Sequence, residues 1–136
     1  MIHASLNYAA ISAAGMAYFV FGAIWYAKPL FGKAWMNGIG KTEEQVKKDF
    51  SPVKLIYAAI CSLLAAYGMA RVLSWTSAAT VGDALMVALV AGVCFVMMTF
   101  MVNDTMESRP FKLTAVNVLY HIIGFLLIGL ILGIWK

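Results

Sequence analysis

The most closely grouped polar chemistry in this chain lies near its C-terminal end, where Asn117, Tyr120, His121 and Gly124 recur inside a long apolar run. Three- and four-residue spacing places them on one face of a helix. An imidazole beside a phenol and a carboxamide can relay a proton, bind a ligand or line a path. The same groups also suit interhelical hydrogen bonds that only fix packing. Cys61 and Cys94 stand in two other apolar runs and, counted from the ends of those runs, at a depth similar to that of His121. Two thiolates and an imidazole would suit zinc or copper, but no local ligand motif joins them, and cysteine is an ordinary buried residue. No cofactor is expected. A third group combines Asn103, Asp104, Glu107 and Arg109 with Trp25, Tyr26, Lys33 and Trp35. Arg109 and Lys33 would bind an anionic headgroup or small substrate between aromatic walls. The alternative is an ion-paired loop, Asp104 or Glu107 with Arg109, beneath an aromatic belt.

The elements that must position these groups are apolar spans. Of the 136 residues, 63% are hydrophobic and 12% charged, against roughly 45–50% and 25% in soluble domains. The polar residues are also segregated between the apolar blocks, as in a polytopic membrane protein. The expected fold is all-α: one domain of four transmembrane helices, over about residues 4–27, 53–73, 81–102 and 111–135. Each is near the roughly 20 residues that cross a hydrocarbon core. The first, Ala4 to Ala27, lacks a lysine or arginine ahead of it and is too long for a signal peptide, so it is read as a retained helix. Ala9, Ala13 and Ala17 predict a close-packing face on it, as do Ala58, Ser62, Ala66 and Ala70 on the second span and Gly129 with Gly133 on the fourth.

Local signals mark the ends. Between spans 1 and 2, Leu30, Phe31, Trp35 and Met36 suit a short interfacial helix, and Gly38 and Gly40 then break it. Thr42 and Gln45 fit a capping box for a second short helix running to Asp49. Ser51 and Pro52 open span 2 as N-cap and first helical residue. Thr80 and Asp83 cap span 3. Asn103 to Lys112 reads as a loop, with Ser108, Arg109 and Pro110 leading into span 4. Met86, Met97, Met98, Met101 and Met106 read as packing residues rather than a thioether ladder for copper.

The net charge of +4 does not point to nucleic acid, because the cations flank spans. Lys28, Lys33, Lys41, Lys47, Lys48, Lys54, Arg109 and Lys112 fall on one side, Arg71 and Lys136 on the other. The positive-inside rule makes the first side cytoplasmic. Loops 28–51 and 103–112 are then cytoplasmic and both termini face outward, across a plasma membrane. The expected partners are membrane lipids and further copies of the chain, since small-residue faces recur on every span and a short bundle encloses little cavity alone.

The run Gly22-Ala23-Ile24-Trp25-Tyr26, followed by Pro29-Leu30-Phe31-Gly32-Lys33-Ala34-Trp35-Met36, resembles the domain-of-unknown-function 1761 (DUF1761) family. So do Arg109-Pro110, Leu113, Asn117, Tyr120 and the run from Gly129 to Trp135. The chain departs from the family pattern at Ala27-Lys28 and at Leu119. The resemblance implies a small bacterial membrane protein of four helices and carries no activity with it. No GxSxG, HExxH, Walker or dinucleotide pattern occurs. Three functions therefore stay open: a small oligomeric transporter or channel-like protein with Asn117, Tyr120 and His121 along its path, a structural or accessory subunit, and a lipid-handling enzyme at the cytoplasmic rim.

Overall fold

The computed structural model describes residues 5–136 of the chain, all of whose regular structure is helical. Asn7 caps α1 (Tyr8–Trp25) by accepting from the Ala10 amide at 3.0 Å. A wide turn over Lys28–Gly32 follows, in which Leu30 leaves helical geometry (φ −105°, ψ −106°), so Pro29 and Leu30 reverse the chain. The short helices α2 (Lys33–Ile39) and α3 (Glu43–Asp49) come next, and Gly40 between them takes φ 71°, which favours glycine. Then come α4 (Pro52–Trp75), α5 (Val81–Val90), a π-helical segment Ala91–Met97, α6 (Met98–Met106) and α7 (Phe111–Ile134). With α5 to α6 taken as one rod, Val81–Met106, four helices are long and apolar enough to cross a membrane.

The expected caps are present. Thr42 and Gln45 form the capping box of α3, Ser51 accepts from the Val53 amide, and Asp83 accepts from the Thr80 amide at 2.9 Å. The third span runs further than expected: Asn103 and Asp104 lie in the last turns of α6, and the loop shrinks to Glu107–Pro110. The helix continues because Asp104 has a partner on α7, where the Thr114 hydroxyl donates to its carboxylate at 2.6 Å. The first helix begins later than Ala4, a residue outside those described; Ser5 to Asn7 are non-helical. Its buried stripe is also displaced by one residue from the expected Ala9, Ala13 and Ala17: Ala10, Ala14, Gly15 and Tyr18 are the buried positions.

Helices α1 and α7 form the middle of the bundle, with α4 against α1 and α5 against α7. Small residues set these distances. A Cβ on Gly15 would stand 2.9 Å from the Leu63 Cα of α4, and one on Gly129 2.8 Å from the Ala88 Cβ and 3.0 Å from the Ala84 carbonyl oxygen. On α4, Ser62, Ala66 and Ala70 are buried as expected, but Pro52 through Ala58 are all exposed. Helix α4 therefore packs tightly on the bundle only from Ser62 and Leu63 onward. It makes no substantial contact with the π segment or α6. Midway along, Ala14, Ala66, Ala88 and Ile128 reach 0% exposure and close the bundle. Lys136 donates to the Ala78 and Ala79 carbonyls, so the C-terminus lies at the α4–α5 connection.

Replacing Gly129 by alanine should destabilise the bundle by about 1–3 kcal/mol, because the neighbours of the new Cβ include backbone. Gly68→Ala meets open space and should be neutral or stabilising by up to about 1 kcal/mol. Reversible unfolding in mixed micelles checks both, and equal effects would contradict the packing.

Candidate functional site

The diverging half of α4 opens a cleft of about 770 Å³ toward the end of the bundle that carries α2 and α3. Its base is α1 and α7, through Tyr18, Phe19, Gly22, Tyr120, His121 and Phe125. Its sides are α4, at Leu55, Ala58 and Cys61, and the π segment, at Val96. Trp35 and Phe50, from the loop region, complete the lining. No Asp, Glu, Lys or Arg lines it.

The base is built by reciprocal packing. Tyr18 of α1 lies over Gly124 of α7, while the Tyr120 hydroxyl of α7 lies over Gly22 of α1, 2.7 Å from where a Cβ would be. The two tyrosine rings stack with centroids 5.2 Å apart. Offset stacking of this kind contributes about 0.5–1.5 kcal/mol beyond area burial. The Tyr18 hydroxyl meets His121 Nδ1, and the imidazole is surrounded by aromatic rings, with Tyr120 at 4.8 Å and Phe100 at 5.1 Å. Nearer the loop end, the Tyr26 hydroxyl donates to Asn117 Oδ1 at 2.7 Å, and the Tyr26 ring meets Trp35 edge-on at 5.7 Å.

Of the residues singled out in the sequence, the structure thus gathers Tyr26, Trp35, Tyr120 and His121 around one cleft, while Asn117 stands behind it and holds the Tyr26 hydroxyl. Trp25 does not join them. It is 8% exposed, donates from Nε1 to the Val116 carbonyl at 3.1 Å and packs on Phe31, so it pins α1 to α7 rather than sitting in an aromatic belt. The rim group separates as well. Arg109 bonds Glu107 at 2.6 Å and lies 3.8 Å from the buried Asp104, while Asn103 is exposed and accepts, through its carbonyl, from the Glu107 amide. These residues close the α6–α7 turn as an ion-paired loop. Lys33 is exposed at the start of α2 and takes part in none of the ion pairs among the described residues.

Of the weak metal candidates, Cys61 and His121 line the cleft and Cys94 does not; both cysteines are exposed. Among the described residues no three His, Cys, Asp or Glu side chains converge on a metal position. Tyr18 is the functional candidate that sequence reasoning missed. A phenol in the middle of an apolar helix was the available signal, since a buried hydroxyl needs a partner.

The sequence model described as Protein of unknown function (DUF1761) matches residues 9–133. The chain belongs to the DUF1761 family. No curated protein and no solved structure matches it significantly. In this DUF1761 protein the matched residues take in all four long helices and nearly every group described above.

Salt bridges outside the spans hold the loop region. Glu43 pairs with Lys28 and Lys47, which hold its carboxyl below the ordinary value, and Lys41 does the same for Asp49. A lowered folded-state pKa stabilises the folded form above the unfolded pKa, and that contribution is lost as pH falls through the folded one. Amide exchange over residues 42–50 should therefore quicken as pH falls through and below the ordinary carboxylate range, after correction for intrinsic rates, while core amides of α7 are unaffected. Protection that holds constant over this window would remove the ion pairs as its cause. For the Tyr26–Asn117 bond, a double-mutant cycle with Tyr26→Phe and Asn117→Ala should return a coupling of about 0.6–1.7 kcal/mol. A coupling of zero would show that the bond contributes nothing to the bundle.

Proposed function

We propose that this protein is an integral membrane protein that binds a small, largely apolar molecule in the cleft between α4 and the π segment, entering sideways from the bilayer. The observation that carries this reading is a lining that combines apolar and aromatic walls with a few converging polar groups and no charge. That is the usual make-up of a small-molecule site, and the cleft volume falls within the roughly 300–1,000 Å³ typical of one. Tyr18, Tyr26, Tyr120 and His121 are the binding candidates, and Asn117 positions Tyr26. The gap along α4 faces the lipid side of the bundle, so a ligand dissolved in the membrane has direct access.

This reading is favoured over a transport path through a single chain. Ala14, Ala66, Ala88 and Ile128, all at 0% exposure, fill the level beyond His121, and the core of the other half packs behind them. It is favoured over an enzyme at the rim because Asp104, Glu107 and Arg109 already bond one another or Thr114. The cation-rich end, with Lys28, Lys33, Lys54 and Lys112, is assigned to the cytoplasm of a plasma membrane by the positive-inside rule.

Native mass spectrometry of protein extracted gently from its own membrane tests the proposal. The wild type should carry an adduct of discrete mass. Ala58→Trp fills the cleft from an exposed position of α4, and should lose the adduct without a lower unfolding temperature. An adduct retained by Ala58→Trp, or none in the wild type, would leave the polar residues with a packing role only.

A further inference from the structure

We infer that the cleft takes a neutral, lipid-soluble quinone, its carbonyl ring held at His121 between the aromatic side chains and its tail directed out along α4. This rests on the cleft being a binding site and adds the class of its ligand. Three observations select that class.

The first is charge. A carboxylate or phosphate placed at His121 would find no cation on the lining, and an unpaired buried charge is strongly disfavoured. Fatty acids and phospholipid headgroups are thereby excluded from the base of the cleft. Depth agrees with this. His121 lies nine residues beyond Lys112, roughly 13 Å along the helix at 1.5 Å per residue, below the level at which headgroups sit.

The second is the direction of hydrogen bonding. We assign the Tyr18 hydroxyl as the donor to His121 Nδ1, an assignment that puts the proton of the neutral imidazole on Nε2. No described residue accepts from Nε2, and no buried side-chain nitrogen or oxygen in the structure lacks a partner. The Nε2 proton is therefore accessible, and it calls for an acceptor. A carbonyl satisfies it, and a ketone needs no donor partner in return. An alcohol would bring a proton of its own that the lining must also accept.

The third is shape. Tyr18, Tyr120, Phe125 and His121 surround the base with ring faces and edges, Tyr18 and Phe125 having centroids 6.1 Å apart. Flat conjugated rings pack well against such walls. Along α4, Leu55, Ala58 and Ala65 offer apolar contact beside Cys61 and Ser62, whose hydroxyl is already bonded to the Ala58 carbonyl, a wall suited to a prenyl tail. The proposal concerns binding and implies no electron transfer.

The test titrates a short-tailed benzoquinone into the purified protein in phosphatidylcholine nanodiscs, with empty discs as the reference for partition. Quenching of Trp35, which lines the cleft, reports occupancy, and Trp35→Phe should remove most of the signal. Saturable quenching is expected in the wild type. His121→Phe should weaken binding about tenfold, the usual order for one hydrogen bond to a ligand, whereas His121→Gln, which keeps a donor, should retain most of it. Tyr18→Phe should weaken it less, because it frees the imidazole tautomer without removing the ring. Palmitate and a long-chain alcohol should compete poorly. Equal binding by His121→Phe, or equal competition by palmitate, would overturn the quinone assignment. Absence of saturable quenching would overturn it too, and if an adduct sensitive to Ala58→Trp is then still found, the cleft keeps its role with another ligand. Loss of both would end the two readings together.

Discussion

Two tyrosines, each lying over a glycine of the opposite helix, set the separation of α1 and α7. Tyr18 needs Gly124 and Tyr120 needs Gly22. Because the two rings also stack on each other, neither helix can slide or rotate without losing both contacts. The rest follows from that fixed pair. The Tyr18 hydroxyl is delivered to His121 and the Tyr26 hydroxyl to Asn117. The aromatic floor of the cleft is also the seam between the helices, so rigidity and binding chemistry share the same side chains. In the other half of the bundle, alanines and glycines do the equivalent work with no polar groups, and the result is a closed core.

Charge is divided along the bundle in the same economical way. Carboxylates meet cations at one end, in the α2–α3 region and at the α6–α7 turn. Asp104, the one buried acid, is satisfied by Thr114 and the nearby Arg109. The interior is left with neutral donors and acceptors.

Much of the fold was legible because composition decides it: four long apolar runs separated by polar ones give four helices long and apolar enough to cross a membrane. Caps were legible because their partners are three residues away. The failures share one cause, a partner distant in sequence. Asp104 reads as loop until Thr114 on the next helix is brought to it. Tyr18 reads as one more bulky residue until His121, 103 positions on, is placed beside it. Trp25 at a span end fits a headgroup belt and a helix contact equally well, and the Val116 carbonyl decides between them. The stripe on α1 was misread for a subtler reason. Alanines come in adjacent pairs at 9–10 and 13–14, so both registers have the same spacing, and only Gly15 and Tyr18 break the tie. On the fourth span, by contrast, Asn117, Tyr120 and His121 share a face by helical arithmetic alone. That part of the candidate site was readable, and its counterpart on α1 was not.

The helices differ in length. Helix α1 has 18 residues and α4 has 24, roughly 27 Å and 36 Å at 1.5 Å per residue. The hydrocarbon core of a bilayer is about 30 Å thick, so α4 has length to spare where α1 has none. That extra length belongs to the half of α4 with the fewest partners, since Pro52 through Ala58 are exposed while Ser62, Ala66 and Ala70 are buried.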